Sequence, residues 1–142
     1  MKKSAIAREK FRCHNCCQSV LFPFSAELGL PAEKALMLSA GFGSGMGRGA
    51  TCGAVTGAYM VLGLKNALDP GNPETKARIK GMVKEFNATF IAENGSLVCK
   101  ELIGYDLSSP EETEKASAAG VFNTVCPILV ASAVEIIETT FG

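Results

Sequence analysis

The chain has 142 residues, with 14 basic and 14 acidic side chains and a formal net charge of zero. Apolar residues make up 47% of it and charged residues 20%, which excludes a disordered chain and indicates one globular domain. No basic surface stands out and Trp is absent, so we expect no nucleic-acid partner.

The N-terminal stretch MKKSAIAREKFR lacks the apolar core of a secretory signal. No run of about 18 apolar residues occurs, so we expect no membrane span and a cytoplasmic location.

The predicted secondary structure is helical from end to end. Apolar side chains recur at three- and four-residue spacing, and no segment alternates with period two. Proline, asparagine and glycine mark the helix ends, most clearly at Asn72-Pro73 and at Asn94-Gly95. We therefore predict an all-α, single-domain bundle of five or six helices over residues 1–142. The segments are Ile6 to Leu28, with a stop or kink at Pro23, then Pro31 to Ala40, Ala50 to Leu64, Pro73 to about Asn94, a short piece from Leu97 to Ile103, one from Ser109 to about Ala119, and a C-terminal helix after Pro127.

The rest of the chain is organised around the stretch Gly41 to Leu64. It begins with glycine at every second position and continues as an apolar run from Ala50, long enough for about four helical turns. Because this run is small or apolar on nearly every side, we expect it to be the central buried helix. Gly53 and Gly57 would form a smooth face that lets another helix or a ligand come close.

Six cysteines are the main chemical signal. They are unlike a disulfide framework if the compartment is reducing, and metal binding or thiol redox chemistry is the better interpretation. Cys52 lies in the first turn of the predicted central helix, where free amides and the helix dipole favour a thiolate. The full set is Cys13, Cys16, Cys17, Cys52, Cys99 and Cys126.

Other motifs in the chain are weaker. Cys13 and Cys16 have the spacing of half a zinc or redox motif, but no second pair completes it. His14 follows the first of these cysteines, which does not fit a haem attachment site. The glycine loop lacks the ending of a phosphate-binding loop and follows a helix, so nucleotide binding is not expected. From the residues alone, convergent cysteines and independent, inert buried cysteines both remain open.

The cysteines and glycines together resemble the redox-active protein family named after its motif, C_GCAxxG_C_C. The central motif is matched by Cys52-Gly-Ala-Val-Thr-Gly57, and the first cysteine by Asn15-Cys16-Cys17-Gln18. Cys99 and Cys126 correspond to the last two cysteines, whereas Cys13 and His14 lie outside the pattern. The family is similar to the helical part of split-Soret cytochromes, which suggests an iron–sulfur cluster as one occupant.

The resemblance implies a site at four of the cysteines, and three hypotheses follow. In the first, the four thiols hold a metal group, an iron–sulfur cluster before zinc and no haem, or act as two exchangeable thiol pairs. In the second, the protein is a thiol oxidoreductase with Cys52 and Cys16 as catalytic residues and an unidentified redox partner. In the third, the cysteines are inert and the glycine face forms a homodimer. The ligands would be Cys16, Cys52, Cys99 and Cys126, and the backbone approaching the cofactor would be that of Gly45, Gly47, Gly49 and Gly53.

Overall fold

The computed structural model describes all residues, 1–142, and contains helices but no strand. The all-α prediction is confirmed, but the predicted number of five or six helices is wrong, because nine α-helices form. The excess comes from a break near residue 13 and from short helices near the turns of the C-terminal half. The helices are α1 Lys3–Lys10, α2 Cys16–Ser25, α3 Ala32–Leu38, α4 Gly53–Asn66, α5 Pro73–Asn94, α6 Cys99–Ile103, α7 Pro110–Ala118, α8 Val121–Thr124 and α9 Cys126–Phe141.

The N-terminal region differs most from its prediction. The chain turns between α1 and α2, so the CHNCC segment is a turn and a helix start rather than the middle of one helix. Asn15 caps α2: its side chain accepts a hydrogen bond from the Gln18 amide at 2.8 Å, and the Gln18 side chain accepts one from the Asn15 amide at 2.9 Å. This reciprocal capping fixes where α2 begins. Pro23 lies inside α2 and does not end it.

Helix α4 is buried at the centre of the bundle. Its first residue is Gly53 and Cys52 is its N-cap, so it begins three residues later than the predicted Ala50. Helix α2 crosses it at very short range. A Cβ atom built on Gly53 would lie 2.9 Å from the Cys17 amide nitrogen, and one on Gly57 would lie 2.9 Å from the Cys17 carbonyl oxygen. The smooth glycine face is therefore used within the chain, which excludes it as a homodimer interface.

Two predicted helix boundaries are confirmed on the long helix α5. The Asn72 side chain accepts a hydrogen bond from the Glu74 amide at 2.8 Å, and Pro73 is the first helical residue. Gly95 ends the helix with a φ of 99°, a conformation that glycine adopts at little cost. Local signals of this kind fix α5 independently of its packing.

Helix α9 closes the core, packing against α1, α2, α4, α5 and α8. Its buried side chains include Val130, Val134 and Ile137. Together with α8 it forms a segment, Val121–Phe141, that is long and apolar enough to cross a membrane by length and composition alone. The sequence analysis did not identify this segment because polar residues interrupt the apolar run. In the structure 56% of its most apolar window is buried, as in the core helix of a globular domain.

Candidate functional site

Four helix N-termini meet around one internal cavity of about 170 Å³. Each contributes a cysteine, and the structure thus brings together the four cysteines that the sequence analysis selected. Cys16, Cys99 and Cys126 are the first residues of α2, α6 and α9, and Cys52 immediately precedes α4. All four line the cavity. A helix start offers unpaired amides and the positive end of the helix dipole, so this arrangement favours negative charge on sulfur.

Cys52 and Cys99 are held together by a short antiparallel bridge. The Cys52 amide donates to the Leu97 carbonyl at 2.8 Å, and the Cys99 amide donates to the Ala50 carbonyl at 2.6 Å. This pairing of residues 50–52 with 97–99 delays the start of α4 and places Cys52 at its cap. The two segments are far apart in sequence, and no local pattern predicted their contact.

Cys16 is placed by the anchored start of α2. The Asn15 side-chain amide donates to the Ser39 carbonyl at 3.3 Å and to the Ala40 carbonyl at 3.1 Å. The Gln18 side chain donates to the Leu36 carbonyl at 2.9 Å. These bonds tie the N-terminus of α2 to the end of α3 and the turn after it. The glycines of α4 then allow α2 close enough for the Cys16 thiol to reach the Cys52 sulfur.

The Cys16 thiol has the largest effect on the pKa values of two neighbouring cysteines, Cys52 and Cys126. Hydrogen bonds with the Cys126 and Cys52 sulfurs raise the pKa of Cys16 well above that of an ordinary thiol, and burial adds to the effect. The same Cys16 thiol lowers the pKa of Cys52, helped by the Ala54 and Val55 amides and opposed by burial. It also lowers the pKa of Cys126. One retained proton therefore stabilises a thiolate on either neighbour.

Cys99 differs from the other three thiols. Burial is the main reason that its pKa rises to about 12, and the nearby sulfurs of Cys52 and Cys126 add charge repulsion. It therefore stays protonated when a neighbouring sulfur is ionised. Cys99 is thus a protonated thiol at neutral pH in the wall of the cavity.

The glycine loop touches the cavity at one end only. Gly45 lines the cavity, as does Gly53 at the start of α4. Gly47 and Gly49 do not: a Cβ atom built on Gly47 would have no neighbour within 4 Å, and one on Gly49 would face Asp106. Of the four glycines selected from sequence, the structure brings two to the site.

The same loop contains four successive left-handed residues, 44 to 47. Glycine accepts this conformation readily, but Ser44 and Met46 adopt it too, with φ values of 56° and 61°. Each such non-glycine residue costs about 1–2 kcal/mol. Ser44 lines the cavity, and the alternation of glycines along the loop did not indicate its role. The loop is strained where it meets the thiols.

The remaining wall of the cavity is mostly apolar. The apolar residues of this wall were not selected as site residues from the sequence, although each belongs to an apolar helix face or flanks one. His14 also lines the cavity, whereas Cys13 is exposed and lies outside it. The apolar wall leaves Cys52, Cys99 and Cys126 buried and Cys16 partly exposed. It consists of Phe11, Ile103, Leu107, Phe122 and Leu129.

Cys17 lies beside the site but does not join it. It is fully buried, its thiol contacts the Met60 sulfur at 3.8 Å, and burial raises its pKa to about 11. It behaves as a small apolar side chain at the crossing of α2 and α4.

The site fits a metal group in its donor chemistry but not in the present positions of its side chains. Four thiols around one cavity are the donor set of an iron–sulfur cluster, and helix N-termini stabilise the negative charge of such a group. As the side chains stand, however, no three His, Cys, Asp or Glu residues form a group that could hold a metal ion. The donor chemistry fits, and the free thiols are arranged for contact with one another.

The chain was compared with protein families, curated proteins and solved structures. A family described as "Putative redox-active protein (C_GCAxxG_C_C)" matches residues 14–140. No curated protein and no solved structure matches significantly. The family match spans all four cysteines of the cavity and both glycines at the crossing of α2 and α4. The chain therefore belongs to the C_GCAxxG_C_C family of redox-active proteins.

Proposed function

We propose that this protein transfers redox equivalents by thiol–disulfide exchange at the four-cysteine cavity. The observation that carries the proposal is the convergence of Cys16, Cys52 and Cys126 on one cavity, where Cys16 lowers the pKa of the other two thiols and its own pKa is raised. A thiolate is the attacking species in such exchange, and a neighbouring thiol is needed to resolve the mixed disulfide. Cys52 supplies the first and Cys16 the second, and both line the same cavity. A reducing compartment such as the cytoplasm would keep the six thiols free.

The exchange proceeds in two balanced steps. The Cys52 thiolate attacks one sulfur of a partner disulfide, forms a mixed disulfide and releases the first partner thiolate. Cys16 then loses its proton and attacks the Cys52 sulfur, which forms a Cys16–Cys52 disulfide and releases the second partner thiolate. The protein loses two electrons, and the proton from Cys16 together with the one that Cys52 released on ionising converts the two partner thiolates into thiols.

Thiol counting and mapping test this mechanism. The anaerobic protein would be treated with a small disulfide, blocked with an alkylating agent and digested for mass spectrometry. We expect a reversible loss of two free thiols, mapped to Cys16 and Cys52, and no loss in the Cys52→Ser variant. Cys17→Ser is the matched control, because Cys17 is buried outside the cavity, and it should retain the reaction. Six thiols that stay free in the folded protein under all conditions would rule the mechanism out.

Cluster binding is the second candidate function. The observation that favours it is the convergence of four thiols and four helix N-termini on one cavity. Cys16, Cys52, Cys99 and Cys126 would hold the cluster, which would supply one-electron transfer. The amides at the helix starts would stabilise negative charge on its sulfurs. Zinc is the less favoured occupant, and nothing in the chain provides a haem attachment site.

Spectroscopy separates the two candidates. The protein would be purified without oxygen, reconstituted with iron and sulfide, and analysed for visible absorption, iron and zinc. A cluster would give a brown protein that loses its colour in the Cys99→Ser variant, whereas disulfide exchange does not require Cys99. A colourless, iron-free protein after reconstitution would eliminate the cluster.

A further inference from the structure

A second, larger cavity of about 520 Å³ opens on the surface beside the thiol site. It is a groove between the end of α1 and the junction of α8 with α9. The residues that line it are Arg8, Phe11, Arg12, Phe122, Asn123 and Pro127. We call it the arginine groove.

The arginine groove carries a net positive charge, because two arginines line it and the one acidic residue near them, Glu9, lines a neighbouring pocket with them. The two ion pairs in the structure are Lys3–Glu27 and Lys115–Glu111, so neither Arg8 nor Arg12 has an acidic partner. No acidic side chain lines the groove, and the exposed Asn123 amide adds a neutral hydrogen-bond donor. The first 12 residues contain five basic side chains and one acidic side chain, in a chain whose formal net charge is zero. Positive charge is therefore concentrated at this end of the molecule.

The groove shares a wall with the thiol cavity. Phe11 and Phe122 line both. Pro127, which lines the groove, directly follows Cys126, which lines the thiol cavity. Both phenylalanine rings are only partly buried. A molecule whose charged end lay on the arginines would thus have its other end at the aromatic wall of the thiol site.

From this arrangement we propose that the arginine groove binds the carboxylate end of a small disulfide, or of the thiol formed from it, and presents its sulfur to the cavity between Phe11 and Phe122. Guanidinium groups bind carboxylates through paired, charge-assisted hydrogen bonds. The inference rests on the thiol–disulfide function and assigns its substrate class. The reaction is the same exchange: a protein thiolate attacks the substrate disulfide, two substrate thiols are released, and one protein disulfide forms.

Oxidation rates with three disulfides test the assignment. The anionic probe is dithiodipropionate, the neutral one hydroxyethyl disulfide and the cationic one cystamine. We expect the double variant Arg8→Gln, Arg12→Gln to react about 10-fold more slowly with dithiodipropionate, and unchanged within about 2-fold with the neutral disulfide. The advantage of the anionic probe in the native protein should fade at high salt. Lys76→Gln, Lys80→Gln on α5 is the matched control, with the same spacing and exposure, and it should behave as the native protein.

A binding measurement separates this proposal from the proposed function. Suberate has the length and charge of dithiodipropionate but no sulfur, so its binding does not depend on thiol chemistry. In an NMR titration we expect it to shift the resonances of Arg8, Arg12 and Asn123, and inorganic phosphate to do so more weakly. If suberate binds but no disulfide reacts, the exchange function fails and the groove stands as a carboxylate site. If suberate shifts none of these resonances, or if the arginine variants slow all three disulfides equally, the groove proposal is overturned.

Discussion

The chemistry of the site depends on a single proton, the one held by Cys16. This proton can be donated to either Cys52 or Cys126, and for each of them the hydrogen bond with Cys16 is the largest cause of the lowered pKa. Without this donor, burial raises the pKa of Cys52 and only two backbone amides lower it. The residue at position 16 thus affects how readily Cys52 and Cys126 ionise.

Replacing Cys16 should therefore raise the pKa of Cys52. In Cys16→Ala the sulfur of Cys52 loses its best hydrogen-bond donor, so its alkylation should require a higher pH than in the native protein. The measurement is the pH dependence of alkylation at Cys52, followed by mass spectrometry. Cys13→Ala is the control, since Cys13 is exposed and outside the cavity, and it should leave the midpoint unchanged. A midpoint that stays the same or falls in Cys16→Ala would contradict the geometry.

At the scale of elements, the crossing of α2 over α4 brings the thiols into contact. The two helices can approach only because Gly57 and Gly53 have no side chains at the crossing. A Cβ on Gly57 would lie 2.9 Å from the Cys17 carbonyl oxygen and 3.0 Å from the Val20 Cβ. Backbone cannot move aside as a flexible side chain can. The glycines of the family motif are thus packing positions.

Two substitutions on α4 test this role. Gly57→Ala gains about 1 kcal/mol in helix propensity but overpacks the crossing at a cost of about 1–3 kcal/mol, so we expect a net loss of stability and slower thiol exchange. Gly63→Ala lies on the same helix with nothing within 4 Å, and it should gain about 0.5–1 kcal/mol. Urea unfolding of both variants gives the comparison. Equal effects at the two positions would show that the crossing tolerates a methyl group.

The left-handed loop offers a second matched pair. Gly45 and Gly47 both have positive φ, 61° and 72°, so alanine at either costs about 1–2 kcal/mol of backbone strain. Only at Gly45 would the new Cβ also collide, 2.5 Å from the Ala50 nitrogen and 3.0 Å from the Cys99 Cβ. Gly47→Ala should therefore lower the unfolding free energy modestly and keep thiol reactivity. Gly45→Ala should lower the unfolding free energy further and also lose thiol reactivity. Thermal unfolding and thiol titration of the two variants check this.

Local signals in the sequence predicted part of these elements. Asn72-Pro73 and Gly95 marked α5 correctly because capping depends on residues next to each other. The signal for the start of α2 is equally local, since Asn15 and Gln18 have the spacing of a capping box. The apolar residues on both sides of it nevertheless led to the prediction of one continuous helix. The pairing of Thr51 with Val98 had no local signal. It is a tertiary contact, and it moved the start of α4 and placed Cys99 against Cys52.

At the scale of the whole molecule, the bundle directs four helix N-termini inward to one cavity. Most helices of a bundle end at its surface, where water satisfies their amides. Here the helix starts carry the cysteines, and α9 and α4 supply the buried core behind them. The spacing of the cysteines along the chain could suggest a shared site only through the resemblance to the family. The geometry adds that the site is a meeting of helix starts, which explains why each cysteine lies at the beginning of an element.

Burial of thiols across the whole core also predicts how stability depends on pH. The pKa of Cys17 rises from 9.0 to about 11 on folding. Between these values the unfolded chain loses the Cys17 proton while the folded chain keeps it, so the unfolding free energy falls as pH rises from 9 to 11. Cys17→Ala removes this contribution of roughly 3 kcal/mol, and its small side chain suits the crossing of α2 and α4. We expect the variant to lose less stability than the native protein over this range, measured by urea unfolding at each pH. Parallel curves for the two proteins would mean that Cys17 ionises as readily in the folded chain as in the unfolded one.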